Sequence, residues 1–328
     1  MREKNIFEIA LPDPVLSSFE LPLHSTFFPF GFPLELATNS HHVMEAAREG
    51  WGCFDQQFDT DPVRLHIGVA AGGAAAIPPQ STFRSREHLM FFVADSENFA
   101  VCDFRQNFAF AWINEGVAMD HALVRYRFLV SAGLTLIEQN SCASLHCGLV
   151  ESNGCGVALL GDSFAGKSTL SYACARGGWR FVSDDGVMLV RDHPCRYAVG
   201  DPFALRLRED ARNLFPELSD RMSITRPNGK QAIEIFTRDL PIETARGCSI
   251  EHLVFLNRQD SGGARLRRYP KDEAMEWCRR YSTFGTSETR AAQERCYERL
   301  LTADIWEMTY SDLDGAIECL DRLVDDGI

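Results

Sequence analysis

Alternating apolar and polar positions predict mainly short strands in the first 140 residues. The clearest are three aromatic and β-branched runs, HLMFFVA, FAVCDF and NFAFAWI, joined by the turns DSEN and RQ. Such short connections predict an antiparallel meander. One helix interrupts this region: PLELAT is followed by Asn39-Ser40 as a cap, then by HHVMEAARE, with an end at Gly50. Segment 121–139 has helical spacing.

The second half alternates between the two-residue period of strands and the 3.6-residue period of helices. VALL reads as a buried strand, Lys167–Arg176 as a short helix closed by Gly177-Gly178, and WRFVS as the next strand. MLVRD, YAVG and HLVFLN have strand character, and three helices are expected in DEAMEWCRRY, near 287–301 and from Ser311 to about 324. This order favours an α/β or α+β fold. We expect a strand-rich N-terminal domain over 1–135 and a second domain over 136–328.

Composition excludes several classes of protein. A chain of 328 residues with 45% hydrophobic and 24% charged residues is of ordinary globular type. No stretch reaches 18 apolar residues, because Gly72, Gly73 and Pro78 interrupt the run over 69–77, and the N-terminus lacks a signal-peptide core. The net charge of −13 is opposite in sign to that of a phosphate-backbone binder. Neither a membrane nor nucleic acid is therefore an expected partner.

The cysteines indicate a reducing compartment. There are eleven, scattered from Cys53 to Cys319, with no CxxC pair and no spacing typical of zinc. We interpret most of them as small buried side chains in a cytoplasmic protein.

The strongest motif is G-x4-G-K-S, with a strand before it and a helix after it. Glycines let backbone N–H groups curl around phosphate oxygens, and the helix N-terminus adds partial positive charge. In this interpretation Lys167, exposed to ligand, reaches the β- and γ-phosphates, and Ser168 ligates Mg²⁺. The alternative is a glycine-rich turn without a ligand. The candidate nucleotide-binding residues are Gly161, Asp162, Ser163, Phe164, Ala165, Gly166, Lys167, Ser168 and Thr169.

Two acids follow closely. Asp184 and Asp185 end the strand WRFVS, 17 and 18 residues after Lys167. One carboxylate can hold Mg²⁺ and the other can accept a proton from an attacking hydroxyl. Alone, such a pair is typical of a solvated turn, but next to this loop the chemical interpretation is favoured. His146 lies before the loop on an apolar strand, where a histidine is usually a hydrogen-bonded core residue.

The segment His146–Asp185 resembles the catalytic half of the HPr kinase/phosphorylase family. His146 stands fifteen residues before Gly161, GCGV at 154–157 matches the family's G-x-G-V turn, the loop opens with Gly-Asp-Ser, and the acids lie at the family's distance from the lysine. Members of that bacterial family phosphorylate a seryl hydroxyl of the phosphocarrier protein HPr. The resemblance implies the HPr kinase and phosphoenolpyruvate carboxykinase type of P-loop domain.

The resemblance also implies roles for individual residues. Asp185 would accept the proton, His146 and Lys167 would assist transfer, and Ser168 would bind the metal. That leaves Asp184 as the carboxylate of the pair that we expect to act through metal dependence. The family's later basic loop is echoed by TRPNGK at 225–230, which makes Arg226 a candidate phosphate or substrate contact; the alternative is a surface arginine.

The chain departs from the family at several positions. Phe164 replaces a glycine and Thr169 a glutamate. The family's Glu-containing metal signature is unrecognisable in FALRLRED at 203–210. Asp201 just before this segment and Glu209 and Asp210 within it are candidate substitutes, so forward transfer alone is expected. The Phe164 ring either packs under the loop or forms an apolar lip beside the γ-phosphate, because a side chain that replaces glycine must point somewhere.

These observations predict a cytoplasmic, Mg²⁺-dependent phosphotransferase that uses ATP. Its acceptor would be a hydroxyl, a serine on a protein or peptide in the first instance. Two alternatives stay open: a nucleotide-dependent regulatory module that transfers nothing, and a small-molecule kinase on the same scaffold. The sequence does not determine the oligomeric state, and a homo-oligomer is one of the open alternatives.

Overall fold

A computed structural model describes residues 20–74, 81–226, 229, 231–280 and 285–326. The N-terminal segment without a signal-peptide core, most of the 71–79 connection, and Pro227, Asn228 and Lys230 of the basic loop lie outside the described residues. The chain divides into two compact units after Ile137. Both contain sheets and helices, so the fold is mixed α/β.

The N-terminal unit is built on a seven-stranded sheet. Its strands are β1 (Leu23–Phe27), β2 (Leu34–Thr38), β3 (Val63–Ala70), β4 (Thr82–Arg86), β5 (Leu89–Val93), β6 (Phe99–Asp103) and β7 (Phe108–Asn114). The spatial order is β1-β2-β3-β7-β6-β5-β4. Strands β4 to β7 pair antiparallel in sequence, which confirms the predicted meander, whereas β3 pairs parallel with both β2 and β7.

The helices of this unit differ in part from the prediction. They are a short 3-10 helix over Pro29–Gly31, α1 (His41–Trp51), α2 (Glu115–Met119), α3 (His121–Leu123) and a π-helix over Val124–Leu134. Helix α1 ends at Trp51 with Gly52 as the C-cap, so the end predicted at Gly50 is wrong. Ser40 is the N-cap residue, but its side chain makes no capping bond, and the Asn39 side chain exchanges hydrogen bonds with Val69 on β3. Helical spacing over 121–139 is confirmed, although most of this stretch has the wider π geometry.

The C-terminal unit contains a mixed nine-stranded sheet. Its strands are β8 (Cys142–Leu145), β9 (Gly148–Ser152), β10 (Cys155–Leu160), β11 (Arg180–Ser183), β12 (Val187–Val190), β13 (Tyr197–Val199), β17 (Gly247–Arg258), β18 (Arg265–Arg268) and β19 (Asp304–Tyr310). The small strands β14 (Ala204–Leu207), β15 (Ile224–Thr225) and β16 (Gln231–Phe236) form a separate sheet in the order β14-β16-β15.

Three parallel strands define the edge that matters for the site. Strand β17 pairs parallel with β10 on one side and with β19 over His252–Arg258. Because the carboxyl ends of parallel strands meet at one edge, the segments that follow β10, β17 and β19 lie together. Strand β19 was not predicted from the sequence.

Helices cover both faces of this sheet. After α4 (Thr135–Ser141), which spans the division between the two units, these helices are α5 (Lys167–Arg176), α6 (Lys271–Arg279), α7 (Ser287–Leu300) and α8 (Leu313–Asp326). Leu160 and Phe255 point into a core with α6 and α7, whereas Leu159 and Val254 point into a core with α5 and α8. Burial on both faces explains why these strands read as continuous apolar runs. Helix α8 begins at Leu313 rather than Ser311, because the Asp312 side chain accepts from Gly315 N and caps it.

No helix within the described residues is long and apolar enough to cross a membrane.

Candidate functional site

The segment between β10 and α5 is a tight, curled loop. This glycine loop, Gly161–Gly166, has φ of 147° at Gly161, 76° at Phe164 and 95° at Gly166. A Cβ on Gly166 would lie 2.3 Å from the Tyr310 hydroxyl oxygen. The last glycine of the motif is therefore required both by its left-handed backbone and by the space that Tyr310 leaves.

The Lys167 ammonium is folded into the loop. Its Nζ donates to the carbonyl oxygens of Gly161 at 2.8 Å and Asp162 at 3.2 Å. Lys167 is only 7% exposed, so the expectation of a ligand-exposed lysine is wrong for the chain as it stands. A phosphate oxygen would have to replace these carbonyls to take the ammonium.

Ser168 and Asp184 come together beneath the loop. The Ser168 hydroxyl donates to the backbone carbonyl of Asp184 at 3.2 Å, which brings the start of α5 to the end of β11. The Asp184 carboxyl is buried, and its Oδ2 accepts a hydrogen bond from the Arg206 backbone N–H at 3.0 Å. Its Oδ1 is also buried and has no partner in the described part of the chain.

Electrostatics at Asp184 follow from this burial. Desolvation raises the pKa of Asp184 to about 7, the Arg206 guanidinium opposes the rise, and Asp185 adds to it. A buried carboxylate oxygen without a partner is costly, and a proton or a cation would satisfy it.

The Ser168–Asp184 pair fits Mg²⁺. Magnesium prefers hard oxygen ligands and usually takes one or two carboxylates together with substrate phosphates. The described residues contain no group of three or more His, Cys, Asp and Glu side chains that could hold a metal on their own. Water and phosphate oxygens would therefore complete the coordination.

His146 and Asp185 also meet. His146 Nδ1 lies 3.4 Å from Asp185 Oδ1, and both side chains are partly exposed. The sheet register accounts for the approach: β8 and β12 are antiparallel with Leu145 opposite Val187, so His146 comes level with Gly186, the neighbour of Asp185. Sequence reasoning alone would have left His146 in the core.

Phe164 points outward. It is 74% exposed, and the Arg208 guanidinium carbon lies 3.8 Å from its ring centroid. Of the two orientations considered for this ring, the structure has the outward one, and a position beside the γ-phosphate stays a prediction. A cation over an aromatic face is attractive, so Arg208 holds the ring in this position.

The remaining predicted residues are Arg226 and the three candidate metal acids, which follow strands β15, β13 and β14. Arg226 follows β15 in the small sheet, is half-buried, and its carbonyl accepts from Gly229 N; its role at the loop stays a prediction. Of the candidate metal acids, Asp201 pairs with the Arg206 guanidinium at 3.4 Å, which links it to Asp184. Glu209 and Asp210 are exposed in a short 3-10 helix.

Three residues near the loop escaped the sequence analysis. The Tyr310 hydroxyl donates to the Ala165 carbonyl, and Arg280 at the end of α6 lies 3.8 Å from an Asp162 oxygen. Arg258, the last residue of β17, lines a cavity of about 320 Å³ beside Gly166 and Thr169. An arginine in such a cavity could meet a phosphate bidentately.

Comparison with known proteins adds little. No family model and no curated protein matches the chain. Among solved structures, the chain is similar to the HPr(Ser) kinase/phosphatase from Coxiella burnetii, with 13% sequence identity over 56% of this chain and 93% of that chain and a TM-score of 0.29. A TM-score of this size does not establish a common fold.

Proposed function

We propose that the chain is a Mg²⁺-dependent phosphotransferase that uses ATP and acts on a hydroxyl, with a serine on a protein or peptide as its acceptor. The C-terminal unit would be a P-loop domain of the HPr kinase and phosphoenolpyruvate carboxykinase type. One observation carries the proposal. Two neighbouring acids at the end of β11, next to the curled glycine loop, have different partners: Asp185 lies near His146, and Asp184 accepts from Ser168. A general base, Asp185, and a metal ligand, Asp184, would thus be side by side.

The glycine loop would bind the nucleotide phosphates. Its backbone N–H groups and the N-terminus of the ten-residue helix α5 present partial positive charge. Lys167 would exchange its two loop carbonyls for phosphate oxygens. Arg258 and Arg280 are further cations in reach of this edge of the sheet.

Asp184 and Ser168 would hold Mg²⁺ through the unpartnered Oδ1 and the hydroxyl oxygen. When bound, the metal supplies positive charge that neutralises the phosphates of the nucleotide. Because burial raises the pKa of Asp184 to about 7, the carboxyl must lose its proton to act as a ligand.

Asp185 would act as the general base. The acceptor oxygen forms a bond to the γ-phosphorus, the bond from that phosphorus to the β-phosphate bridging oxygen breaks, and ADP leaves. The acceptor proton passes to the Asp185 carboxylate, which His146 orients through its Nδ1. The partial exposure of Asp185 leaves it accessible to an acceptor.

The test is a transfer assay with the full-length chain, radiolabelled ATP, Mg²⁺ and two acceptor sets, a serine-containing peptide library and free amino acids and sugars. We expect transfer to peptides by the unaltered chain and none by Asp185→Asn. Label on the small molecules alone would identify the small-molecule kinase instead. No transfer to any acceptor and no hydrolysis would reject the enzymatic proposal.

A second candidate is a nucleotide-dependent regulatory module. The engagement of the Lys167 ammonium by loop carbonyls favours it, because a lysine held in this way is not presented to the γ-phosphate. ATP binding in calorimetry without transfer or hydrolysis would identify this function.

A further inference from the structure

A second polar cluster lies in the N-terminal unit and has no role in the proposed function. His42 and Glu49 are two helical turns apart on α1, and the imidazole of His121, the first residue of α3, lies between them. His121 Nε2 is 3.3 Å from His42 Nδ1, and His121 Nδ1 is 2.7 Å from Glu49 Oε1. Glu49 also pairs with Arg125.

The carboxylate fixes the tautomer of His121. An ionised carboxylate only accepts hydrogen bonds, so His121 Nδ1 must carry a proton and donate it to Glu49. In the neutral imidazole, Nε2 then has a free lone pair, and it faces His42 Nδ1. A histidine whose far nitrogen donates to a carboxylate is the usual arrangement of a metal-ligating histidine.

The separation of the two facing nitrogens is that of ligands sharing one metal. With Zn–N bonds of about 2.0–2.1 Å and a tetrahedral angle, two nitrogens on one ion lie about 3.3–3.4 Å apart. The observed distance of 3.3 Å between His42 Nδ1 and His121 Nε2 matches this separation. A direct hydrogen bond between the rings gives a similar distance, so metal uptake decides between the two.

The surroundings leave room for further ligands. The cluster lines an open cavity of about 620 Å³ together with Gly116, Met119 and Asp120. No third His, Cys, Asp or Glu completes a metal site among the described residues, so water would fill the remaining positions. Imidazole nitrogens suit zinc, copper and nickel rather than magnesium or calcium.

We infer that His42 Nδ1 and His121 Nε2 form a binding site for a divalent transition metal of the zinc class, with Glu49 as the positioning residue that orients His121. The site is open to solvent on one side and lies within the N-terminal unit. It does not depend on the function proposed for the glycine loop.

The test is Zn²⁺ titration by calorimetry and Co²⁺ titration by visible absorbance. Both use the full, nucleotide-free chain with excess Mg²⁺ present, which occupies sites made of hard oxygen ligands. The exposed thiols of Cys53 and Cys195 are replaced by serine in every variant, because they could bind zinc themselves. We expect one equivalent of metal, lost in His42→Gln and in His121→Gln.

Two further variants keep the result interpretable. Glu49→Gln retains both nitrogen ligands and should weaken Zn²⁺ binding about tenfold or more. His24→Gln, which removes an exposed histidine of β1, should leave it unchanged. Zn²⁺ should also raise the melting temperature of the parent and of His24→Gln, but not of the two ligand variants. No uptake by the parent, or uptake that survives both ligand substitutions, would overturn the inference.

Discussion

The hydroxyl of Tyr310 donates a hydrogen bond to the backbone carbonyl of Ala165 across 2.7 Å, so the last residue of β19 supports the glycine loop. Tyr310 is buried, and burial raises the pKa of its hydroxyl to about 12, so the group stays a donor at neutral pH. Loop and strand end are thus joined by a bond between residues 145 positions apart.

Tyr310→Phe should therefore weaken both the fold and nucleotide binding. Loss of one buried hydrogen bond costs about 1 kcal/mol of unfolding free energy, which urea denaturation would measure. ATP affinity in calorimetry should fall several-fold. Tyr297→Phe is the matched control, because Tyr297 also donates to a backbone carbonyl, that of Ser144, at 2.8 Å. It should lose similar stability without loss of affinity; equal affinity losses would refute a specific role for Tyr310.

Lys167→Ala should abolish ATP binding without unfolding the chain. The substitution removes the ammonium that would meet the phosphates, and also its two hydrogen bonds to loop carbonyls. We expect a stability loss of about 1–2 kcal/mol. Lys167→Met, which retains the length of the side chain, separates charge from packing. Calorimetry showing unchanged ATP affinity in both variants would contradict the proposed nucleotide site.

Asp185→Asn should separate chemistry from binding. The amide has the shape of the carboxylate but accepts no proton, so transfer should fall by about 10²-fold or more while ATP still binds. Asp184→Asn should instead raise the Mg²⁺ concentration needed for half-maximal activity. Steady-state rates as a function of Mg²⁺ measure both. Full transfer by Asp185→Asn would show that another group takes the proton.

Phe164→Gly should change acceptor turnover and leave ATP affinity within a few-fold. In the proposed reaction the exposed ring would lie beside the approaching acceptor, and Phe164 belongs to none of the apolar core clusters formed by the described residues. Phe236→Ala is the matched control, since Phe236 is also exposed and lies under the Arg238 guanidinium at 4.8 Å. A large drop in melting temperature without a kinetic change in Phe164→Gly would show that the ring only packs.

Glu138→Gln should flatten the dependence of stability on pH. Burial raises the pKa of Glu138 to about 7, although contacts with Ser144 and Arg191 oppose the rise. The folded chain therefore holds this proton where the unfolded chain, with a pKa of about 4.3, has lost it. The contribution of protonated Glu138 to the stability of the fold is fully present below the unfolded pKa and is lost as the pH rises through about 7.

Melting temperatures between about pH 5 and pH 8 test this, in nucleotide-free and metal-free buffer. The variant should lose less stability across the range than the parent. Some slope will remain, because the pKa of Asp184 is raised in the same direction. An unchanged slope in Glu138→Gln would contradict the assignment.

Local patterns predicted the elements that carry the glycine loop, and tertiary contacts supplied what they missed. The strand β10, the helix α5 and the acids after β11 follow from short runs of sequence, because strand burial and helix periodicity are local properties. Strand β19 was missed: its sequence DIWEMTY contains a buried glutamate, Glu307, which is tolerated because Arg267 and Asn257 bind it.

The cationic residues around the loop were missed for the same reason. Arg208 reaches Phe164 from the end of β14, and Arg280 reaches Asp162 from α6. Neither position has a sequence signature, since each depends on how distant segments pack. His146 was indicated by the resemblance to a known family, and the antiparallel register of β8 and β12 brings it level with Gly186, next to Asp185.

The three left-handed backbone positions of the glycine loop have a kinetic consequence. Contacts within the chain, from Tyr310 and Lys167 to loop carbonyls, hold this curled conformation, so the conformational entropy of the loop is lost during folding rather than on association. A phosphate group would then encounter a rigid receptor, and its capture would not wait for a loop rearrangement. What would remain on binding is the transfer of the Lys167 ammonium from carbonyl oxygens to the incoming anion, a single side-chain movement.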